Sequence, residues 1–217
     1  MTERPPPGSA RPGGRTARTR TAVLAAALDE LDAAGFDALT LDKLAARSGV
    51  HVTTIRRRWR TVEGVLVDLL AQHSATIPTP DSGDFRQDLH ELARAIADFQ
   101  AVPRNYHLVE GIVAAAAQDA RIADIVRGAF TARTEHVTQL VHRAVDRGEL
   151  PPDTQAKEVI AALSAPFYYR LLILRGPIDD RLVHTSAEAA YHAAHAGVFN
   201  PPQTQTQTQP SSPTPPR

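Results

Sequence analysis

The sequence predicts an all-α protein built from two helical domains, and three observations support this. Apolar residues recur at helical spacing along most of the chain, as in Leu24, Leu28 and Leu31. No segment shows the apolar–polar alternation that marks a half-buried strand. The segment IPTPDSGD, residues 77–84, is rich in Pro, Gly and Asp, and therefore predicts a boundary between an N-terminal and a C-terminal domain.

The composition excludes several kinds of site and indicates one kind of partner. The 217 residues include no cysteine, which excludes disulfides, thiolate metal sites and cysteine nucleophiles. The formal net charge is zero, yet the first 60 residues carry 11 Lys and Arg against 6 Asp and Glu, and the remainder carries 13 against 18. A basic N-terminal part on an acidic remainder indicates a module that binds a polyanion. Because 22 of the 24 basic residues are arginine, their placement matters more than their number.

Both ends of the chain are predicted to be disordered. Residues 1–16 form a basic arm of Pro, Gly and Arg, and residues 200–217 form a tail of Pro, Gln and Thr. Neither segment holds enough apolar surface to offset the entropy of ordering. The arm lacks the apolar stretch of a secretory signal, and the longest apolar window, Val159 to Leu174, is short for a bilayer and contains Arg170. We therefore expect a cytoplasmic protein with no membrane partner.

The N-terminal domain, residues 17–76, is expected to contain four helices. They are predicted at about Ala17 to Ala34, Leu41 to Ser48, Val52 to Trp59 and from Thr61 onward. Thr40 can cap the second helix, and Gly49 supplies the turn before the third. Two short helices joined by such a turn, after a longer helix, form a helix-turn-helix arrangement. Its second short helix lies in the major groove of DNA.

The C-terminal domain, residues 84–199, is also expected to be helical. Pro103 and the Gly- and Pro-containing segments around Gly148 and Gly176 separate its helices. The predicted helices cover roughly 84–101, 104–117, 119–147, 153–175 and 179–197.

The third helix carries the candidate contact residues. With about 100° per residue, Ile55 and Trp59 fall on one side, so that Thr53 and Arg57 point away from the core. We expect base-edge contacts from Thr53, Thr54 and Arg57, because an Arg can hold guanine by two hydrogen bonds and a Thr methyl can contact thymine. The phosphate contacts are expected from Arg56, Arg58 and Arg60. The alternative is a solvated charge run on a surface helix.

The segment RTRTAVLAAALDELDAAGFDALTLDKLAARSGVHVTTIRRRWRTVEGVLVDLL resembles the N-terminal domain of the tetracycline-repressor (TetR/AcrR) family of transcription regulators. The matching features are the Ala-rich first helix, the stretch AAGFDALTLDKLAARSGV and then TTI-x-R-R-W. The resemblance implies an all-helical fold with a DNA-binding head on a C-terminal domain that dimerises and holds a small molecule. It implies a recognition helix from His51 to Trp59, with further phosphate contacts from Thr40, Lys43 and His51.

Two places depart from the family pattern. Arg56 stands where the family usually has a Tyr that contacts the DNA backbone. Arg60, Thr61 and Val62 stand where it usually has Pro-Ser-Lys, and Arg60 or Arg56 can supply the charge of that lysine. Because two contact positions differ, the operator sequence is not predicted.

The N-terminal arm is a further candidate for DNA contact. A flexible basic arm can reach an adjacent minor groove or the phosphates. The alternative is a disordered leader that only aids solubility. The basic residues concerned are Arg4, Arg11, Arg15, Arg18 and Arg20.

The last two helices are expected to form the dimer surface, because small residues between their large ones let helices approach closely. Two-fold pairing would form a four-helix bundle and present two recognition helices to a palindromic operator. The alternative is that these residues form the core of one protomer. The candidate interface residues are Leu163, Phe167, Leu171 and Tyr191.

A ligand pocket would lie among the helices between residues 84 and 175. Phe99, His107 and Phe130 are candidate wall positions, because they are large or polar residues on helices of mostly small, apolar residues. For each of them the alternative is an ordinary core or surface residue. The chemistry of the effector is not predicted.

No motif supports catalysis, a cofactor or a bound metal. The segment HELAR at His90 lacks the second His of the zinc pattern, because Arg94 stands there, and His192 and His195 have no third ligand at a convincing spacing. The expected protein is a repressor whose partners are double-stranded DNA, a small-molecule effector and a second copy of the chain. The alternatives are a small-molecule-binding or catalytic helical protein with an incidental basic head, and a nonspecific architectural DNA binder.

Overall fold

The structure, a computed structural model, describes residues 14–201, and within that range it contains α-helices and no strand. A 3₁₀ turn, Phe36–Ala38, follows the first helix, and a π-helical turn, Tyr169–Ile173, continues the ninth. The predicted all-α fold is confirmed. In chain order the α-helices are α1 Gly14–Ala34, α2 Leu41–Ser48, α3 Val52–Trp59, α4 Val62–Ser74, α5 Phe85–Ala101, α6 Pro103–Gln118, α7 Ala120–Val137, α8 Gln139–Asp146, α9 Ala156–Tyr168 and α10 Asp180–His195.

Three helix boundaries differ from the prediction. Helix α1 begins at Gly14, so the last three residues of the predicted disordered arm are helical. The single helix predicted over 119–147 is divided at Thr138, whose hydroxyl donates to a carbonyl one turn earlier (2.8 Å) and competes with the helical ladder. The helix predicted over 153–175 begins at Ala156 and widens into the π-helical turn shortly after Pro166, which lacks a backbone donor.

The turn between α2 and α3 is fixed by local chemistry at both ends of α2. The Thr40 side chain accepts the backbone N–H three residues further on (3.2 Å), as expected for a cap. Gly49 ends α2 in the left-handed region at φ 67°, which a residue without Cβ adopts at low cost. Together these two residues set where α3 starts and which way it points.

Two clusters of buried residues form the interior. The first lies among helices α1, α2, α3 and α4 and includes Leu44 and Ile55, which are fully buried. It also takes in Leu108 and Ile112 of α6, so the N-terminal helices are packed onto the C-terminal ones. The second cluster fills the space among α5, α8, α9 and α10. No helix within residues 14–201 is long and apolar enough to cross a membrane.

The predicted dimer residues lie largely inside one protomer. Leu163 and Phe167 are fully buried, and Leu171 is buried against the first cluster. The prediction is therefore wrong for these three residues, and the alternative of a protomer core is right. Helical periodicity identifies an apolar face, but it does not tell whether the partner of that face belongs to the same chain. Tyr191 is half-buried, with its ring centroid 6.1 Å from that of Phe85.

Candidate nucleic-acid interface and cavity

The orientation of α3 agrees with the prediction from its spacing. Ile55 is fully buried and Trp59 is 7 % exposed, so both side chains anchor the helix to α1 and α4. Thr53 is exposed and Thr54 is half-buried. The surrounding basic residues are all exposed, namely Arg56, Arg57, Arg58 and Arg60. Four cations on one short helix and its end form a surface suited to a polyanion.

A half-buried carboxylate holds the inner side of α3. The indole Nε1 of Trp59 donates to Oδ2 of Asp68 on α4 (2.9 Å), and Nε and Nη2 of Arg20 on α1 donate to the same carboxylate (3.1 and 2.8 Å). Burial opposes ionisation of Asp68, but the hydrogen bonds from Arg20 and Trp59 outweigh it and bring the pKa of Asp68 below its ordinary value. One carboxylate thus ties three helices of the head together.

This network corrects the role expected of Arg20. Its guanidinium is held by Asp68 and by the side-chain oxygen of Gln72 (3.2 Å), so it does not belong to a flexible arm. Arg15 and Arg18 are exposed on the first turns of α1. Arg4 and Arg11 lie outside the described residues.

The end of α3 has a strained corner that no pattern in the sequence predicted. Arg60 adopts φ 65° although it is not a glycine, a conformation that costs free energy for an L-residue. The following helix passes so close that a Cβ at Gly64 would lie 2.3 Å from the carbonyl oxygen of Trp59. Only glycine fits at position 64, because any larger side chain would meet this carbonyl oxygen. The exposed Arg60 side chain lies just beyond the end of α3.

The other predicted phosphate contacts lie at exposed helix starts. Thr40 uses its hydroxyl as the cap of α2, and Nζ of Lys43 donates to the carbonyl of Ala38 (2.8 Å). Nδ1 of His51 lies 3.0 Å from Oγ1 of Thr53. The side chains of Thr40, Lys43 and His51 are exposed, so their contact with DNA stays a prediction.

A cavity of about 110 Å³ lies among α4, α5, α6, α7 and α9. Phe99 and Phe130 line it, and the ring of Phe130 meets that of Tyr168 edge to face at 5.9 Å. Their contact with a ligand stays a prediction. His107 does not line it. It is exposed at a separate groove beside Phe36, 3.8 Å from Glu110, because it lies on a different face of α6 from Val109.

Polar side chains interrupt the mostly apolar wall of this cavity, among them Arg133, Gln100 and Tyr168. Arg133 donates from Nη2 to the carbonyl of Ile77 (3.0 Å), and burial lowers the pKa of its guanidinium. The side-chain oxygen of Gln100 is buried without a hydrogen-bond partner among the described residues. Burial raises the pKa of Tyr168 to about 12, so its hydroxyl stays protonated at neutral pH.

Helix α4 belongs to both the head and the cavity. Asp68 on this helix holds Trp59 of α3, and Leu70, Ala71 and Ser74 line the cavity within the next two turns. A molecule that enters the cavity would therefore press on the helix that supports the recognition surface.

A cluster of His90, His184 and Glu188 lies between α5 and α10, with candidate ligand atoms within 4.8 Å of one another. It was not predicted from the sequence because His90 is far from the other two along the chain. Arg86 donates two hydrogen bonds to Glu188 (2.8 and 2.7 Å), and the hydrogen bonds from Arg86 and His90 lower the pKa of Glu188 to about 2. This carboxylate therefore already has a cationic partner, and an ion-pair network accounts for the cluster.

Small and apolar residues follow the outer face of α9 and the turn after it. Tyr169 is 57 % exposed and Ile173 is 67 % exposed, and Ala162 and Ala165 are exposed on the same side. This face points away from the buried side that holds Leu163.

Comparisons with known proteins agree with this architecture. The family described as "Tetracyclin repressor-like, C-terminal domain" matches residues 79–190. The HTH-type transcriptional regulator YdeS of Bacillus subtilis is 30 % identical over 180 residues, which cover 82 % of this chain and 90 % of the relative. The DNA-binding transcriptional repressor TetR of Mycobacteroides abscessus is 29 % identical, with 75 % and 86 % covered. The crystal structure of the TetR-family transcription regulator SCO0332 is 26 % identical and superposes with a TM-score of 0.70, covering 81 % of this chain and 97 % of that one.

Proposed function

Because the chain belongs to the TetR family of transcriptional regulators, we propose that it is a homodimeric repressor that leaves a palindromic operator when a small molecule enters its cavity. As a member of this family, the chain is a ligand-responsive DNA-binding regulator. The name of the Mycobacteroides abscessus relative supports repression.

The orientation of α3 is the observation that carries this proposal. Ile55 and Trp59 are buried, so Thr53 and Arg57 face outward where a major groove would lie. Arg57 reads guanine, and the Thr53 methyl contacts a base edge. The flanking cations, Arg56, Arg58 and Arg60, neutralise phosphates and set the register.

The second copy packs on the outer face of α9 and α10. Ala162 and Ala165 let two helices approach closely, and the exposed side chains of Tyr169 and Ile173 become buried. On α10 the small residue Ala189 is also exposed. A two-fold axis through this face presents two recognition helices at a fixed spacing, which a palindromic operator matches.

The response to the ligand passes through α4. The ligand contacts Leu70 and Ala71, displaces α4, and moves α3 through the bond between Asp68 and Trp59. The two head domains then no longer match the spacing of the half-sites. The shift is limited by the difference in ligand affinity between the two spacings.

Selection of bound fragments from the source genome tests the function directly. We expect a short motif with two-fold symmetry to be enriched, and competition against random DNA at fixed salt to leave this motif bound. Equal binding of selected and random DNA would instead favour a nonspecific architectural protein. Absence of DNA binding at low salt would favour a helical protein with an incidental basic head.

A pair of variants tests which arginine of α3 contacts a base and which contacts a phosphate. Arg57→Ala is expected to lose about 1–3 kcal/mol of affinity for the operator and to relax the preference for one base pair. Arg58→Ala is expected to weaken operator and random DNA equally and to reduce the salt dependence. Fluorescence anisotropy with operators that vary at each position measures both effects. The reverse pattern would mean that α3 enters the groove in another orientation.

A further inference from the structure

The cavity contains a cation that no carboxylate among the described side chains neutralises. Among the lining residues that the structure describes, Arg133 is the sole charged side chain. It donates to the neutral carbonyl of Ile77, and no carboxylate among the described side chains forms an ion pair with it. A guanidinium presents five N–H donors, so most of them remain available to a ligand.

The surroundings make this arrangement costly in the absence of a ligand. The cavity wall is mostly apolar, with Ile96, Phe99 and Phe130 among its members. Gln100, which is 4 % exposed, leaves its side-chain oxygen without a hydrogen bond from the described residues. A buried acceptor without a partner is rare in protein interiors, and it requires a donor such as a water molecule or a hydroxyl group, which a carboxylate does not supply.

Hydrogen-bond donors other than Arg133 also border the same cavity. Thr134 carries a hydroxyl group at its wall, and the Tyr168 hydroxyl stays protonated, whereas the Ser164 hydroxyl already donates to the carbonyl of Ile160 (2.8 Å). A carboxylate has about four acceptor positions, whereas a neutral apolar molecule has none. Charge-assisted bonds from arginine to a carboxylate are frequently bidentate and roughly twice as strong as neutral ones.

We infer that this cavity binds a small monocarboxylate with an apolar body, whose carboxylate pairs with Arg133 and whose body packs against Phe99 and Phe130. The volume sets the size of the body. An apolar cavity of about 150 Å³ accommodates benzene, so the 110 Å³ found here suits a short alkyl chain or a single ring after slight movement of side chains. The inference deepens the proposed ligand response and rests on it for its regulatory meaning, whereas binding itself is measured without DNA.

Calorimetric titration of the full-length protein tests the assignment. The ligands are benzoate and the straight-chain carboxylates from butyrate to dodecanoate, each beside the neutral amide of the same carbon skeleton. At least one carboxylate is expected to bind about 10- to 100-fold more tightly than its amide, as a charge-assisted pair in a desolvated site requires. Failure of all the carboxylates to bind, or equal binding of the amides, would overturn the inference and leave water as the occupant.

Variants of Arg133 separate a binding role from a structural one. Arg133→Met is expected to remove the preference for carboxylate over amide while leaving the melting temperature of the unliganded protein unchanged or higher, because it removes a desolvated charge. Arg133→Lys keeps the charge without the planar fork and is expected to bind about tenfold more weakly. The matched control is Arg127→Met, since Arg127 is on the same helix, is 73 % exposed and pairs with Asp124 (2.9 Å). Unchanged carboxylate affinity in Arg133→Met would refute the assignment.

The same ligand is then added to the complex with DNA. Binding to the protein together with release of the operator supports both the ligand class and the regulatory role. Binding without release leaves the ligand assignment intact and contradicts the proposed response. Operator binding by a protein that takes up none of the carboxylates contradicts the ligand class alone.

Discussion

Replacement of Asp68 tests how the head holds its recognition helix. The side chains of Arg20 and Asp68 are 32 % and 24 % exposed, so solvent screens their ion pair in part and it contributes about 1–2 kcal/mol. The Trp59 indole is 7 % exposed, and leaving its N–H without an acceptor costs about 1–3 kcal/mol. Asp68→Ala removes both interactions, and we expect it to lower the free energy of unfolding by about 2–4 kcal/mol.

Asp68→Asn divides this effect into its two parts. The amide oxygen can still accept from Trp59, whereas the charge that pairs with Arg20 is removed. We therefore expect the free energy of unfolding to fall by about 1–2 kcal/mol, less than in Asp68→Ala. Asp29→Asn is the control, because Asp29 is exposed on α1, and a surface change of this kind stays within about 0.5 kcal/mol.

The assay is urea unfolding followed by circular dichroism at several pH values. The pKa of Asp68 is lower in the folded protein than its ordinary value of 3.8, so its stabilising contribution is present above that value and disappears as the pH falls through the folded pKa. The difference between the wild type and Asp68→Asn should therefore be constant near neutral pH and shrink below pH 3.8. Equal stabilities of the alanine and asparagine variants at neutral pH would refute the assigned bond to Trp59.

Two further predictions concern the α3–α4 corner and the N-terminal arm. Gly64→Ala should destabilise the head by about 1–3 kcal/mol in thermal melting, because the new Cβ meets the carbonyl of Trp59. The control is Gly128→Ala on α7, which has open space around it and should be neutral or stabilising by up to about 1 kcal/mol. Deletion of residues 1–13, which carry Arg4 and Arg11, should weaken operator binding and reduce the slope of log K against log salt by about 0.9 for each phosphate that the arm neutralises; identical slopes before and after deletion would exclude the arm from the interface.

Features set by the local spacing of residues were predicted from the sequence, and features set by tertiary contacts were not. The side of α3 that Ile55 and Trp59 share is a local periodic pattern, and it placed the exposed arginines correctly. The bond from Trp59 to Asp68 is tertiary and left no local signal. The sequence did not tell whether Phe167 is buried within one chain or between two copies, because an apolar helix face packs equally well on either.

The residues of the cavity were likewise predicted only in part. The large aromatic residues Phe99 and Phe130 stood out on helices of small residues, and both line the wall. Arg133 could not be singled out in a chain with 22 arginines, because what distinguishes it is burial and the lack of a carboxylate partner among the described side chains. His107 was misplaced because spacing on α6 alone does not tell which neighbouring helix each face meets.

The bond between Trp59 and Asp68 also gives the protein a spectroscopic reporter. Trp59 is the single tryptophan of the chain, so its indole emission comes from the recognition helix alone. Its N–H faces a carboxylate on the helix that borders the cavity, with Cζ of Arg58 5.0 Å from the ring centroid. Any displacement of α4 alters the electric field at the indole. The wavelength of emission therefore follows the position of α4 under the recognition helix, without a label and without DNA.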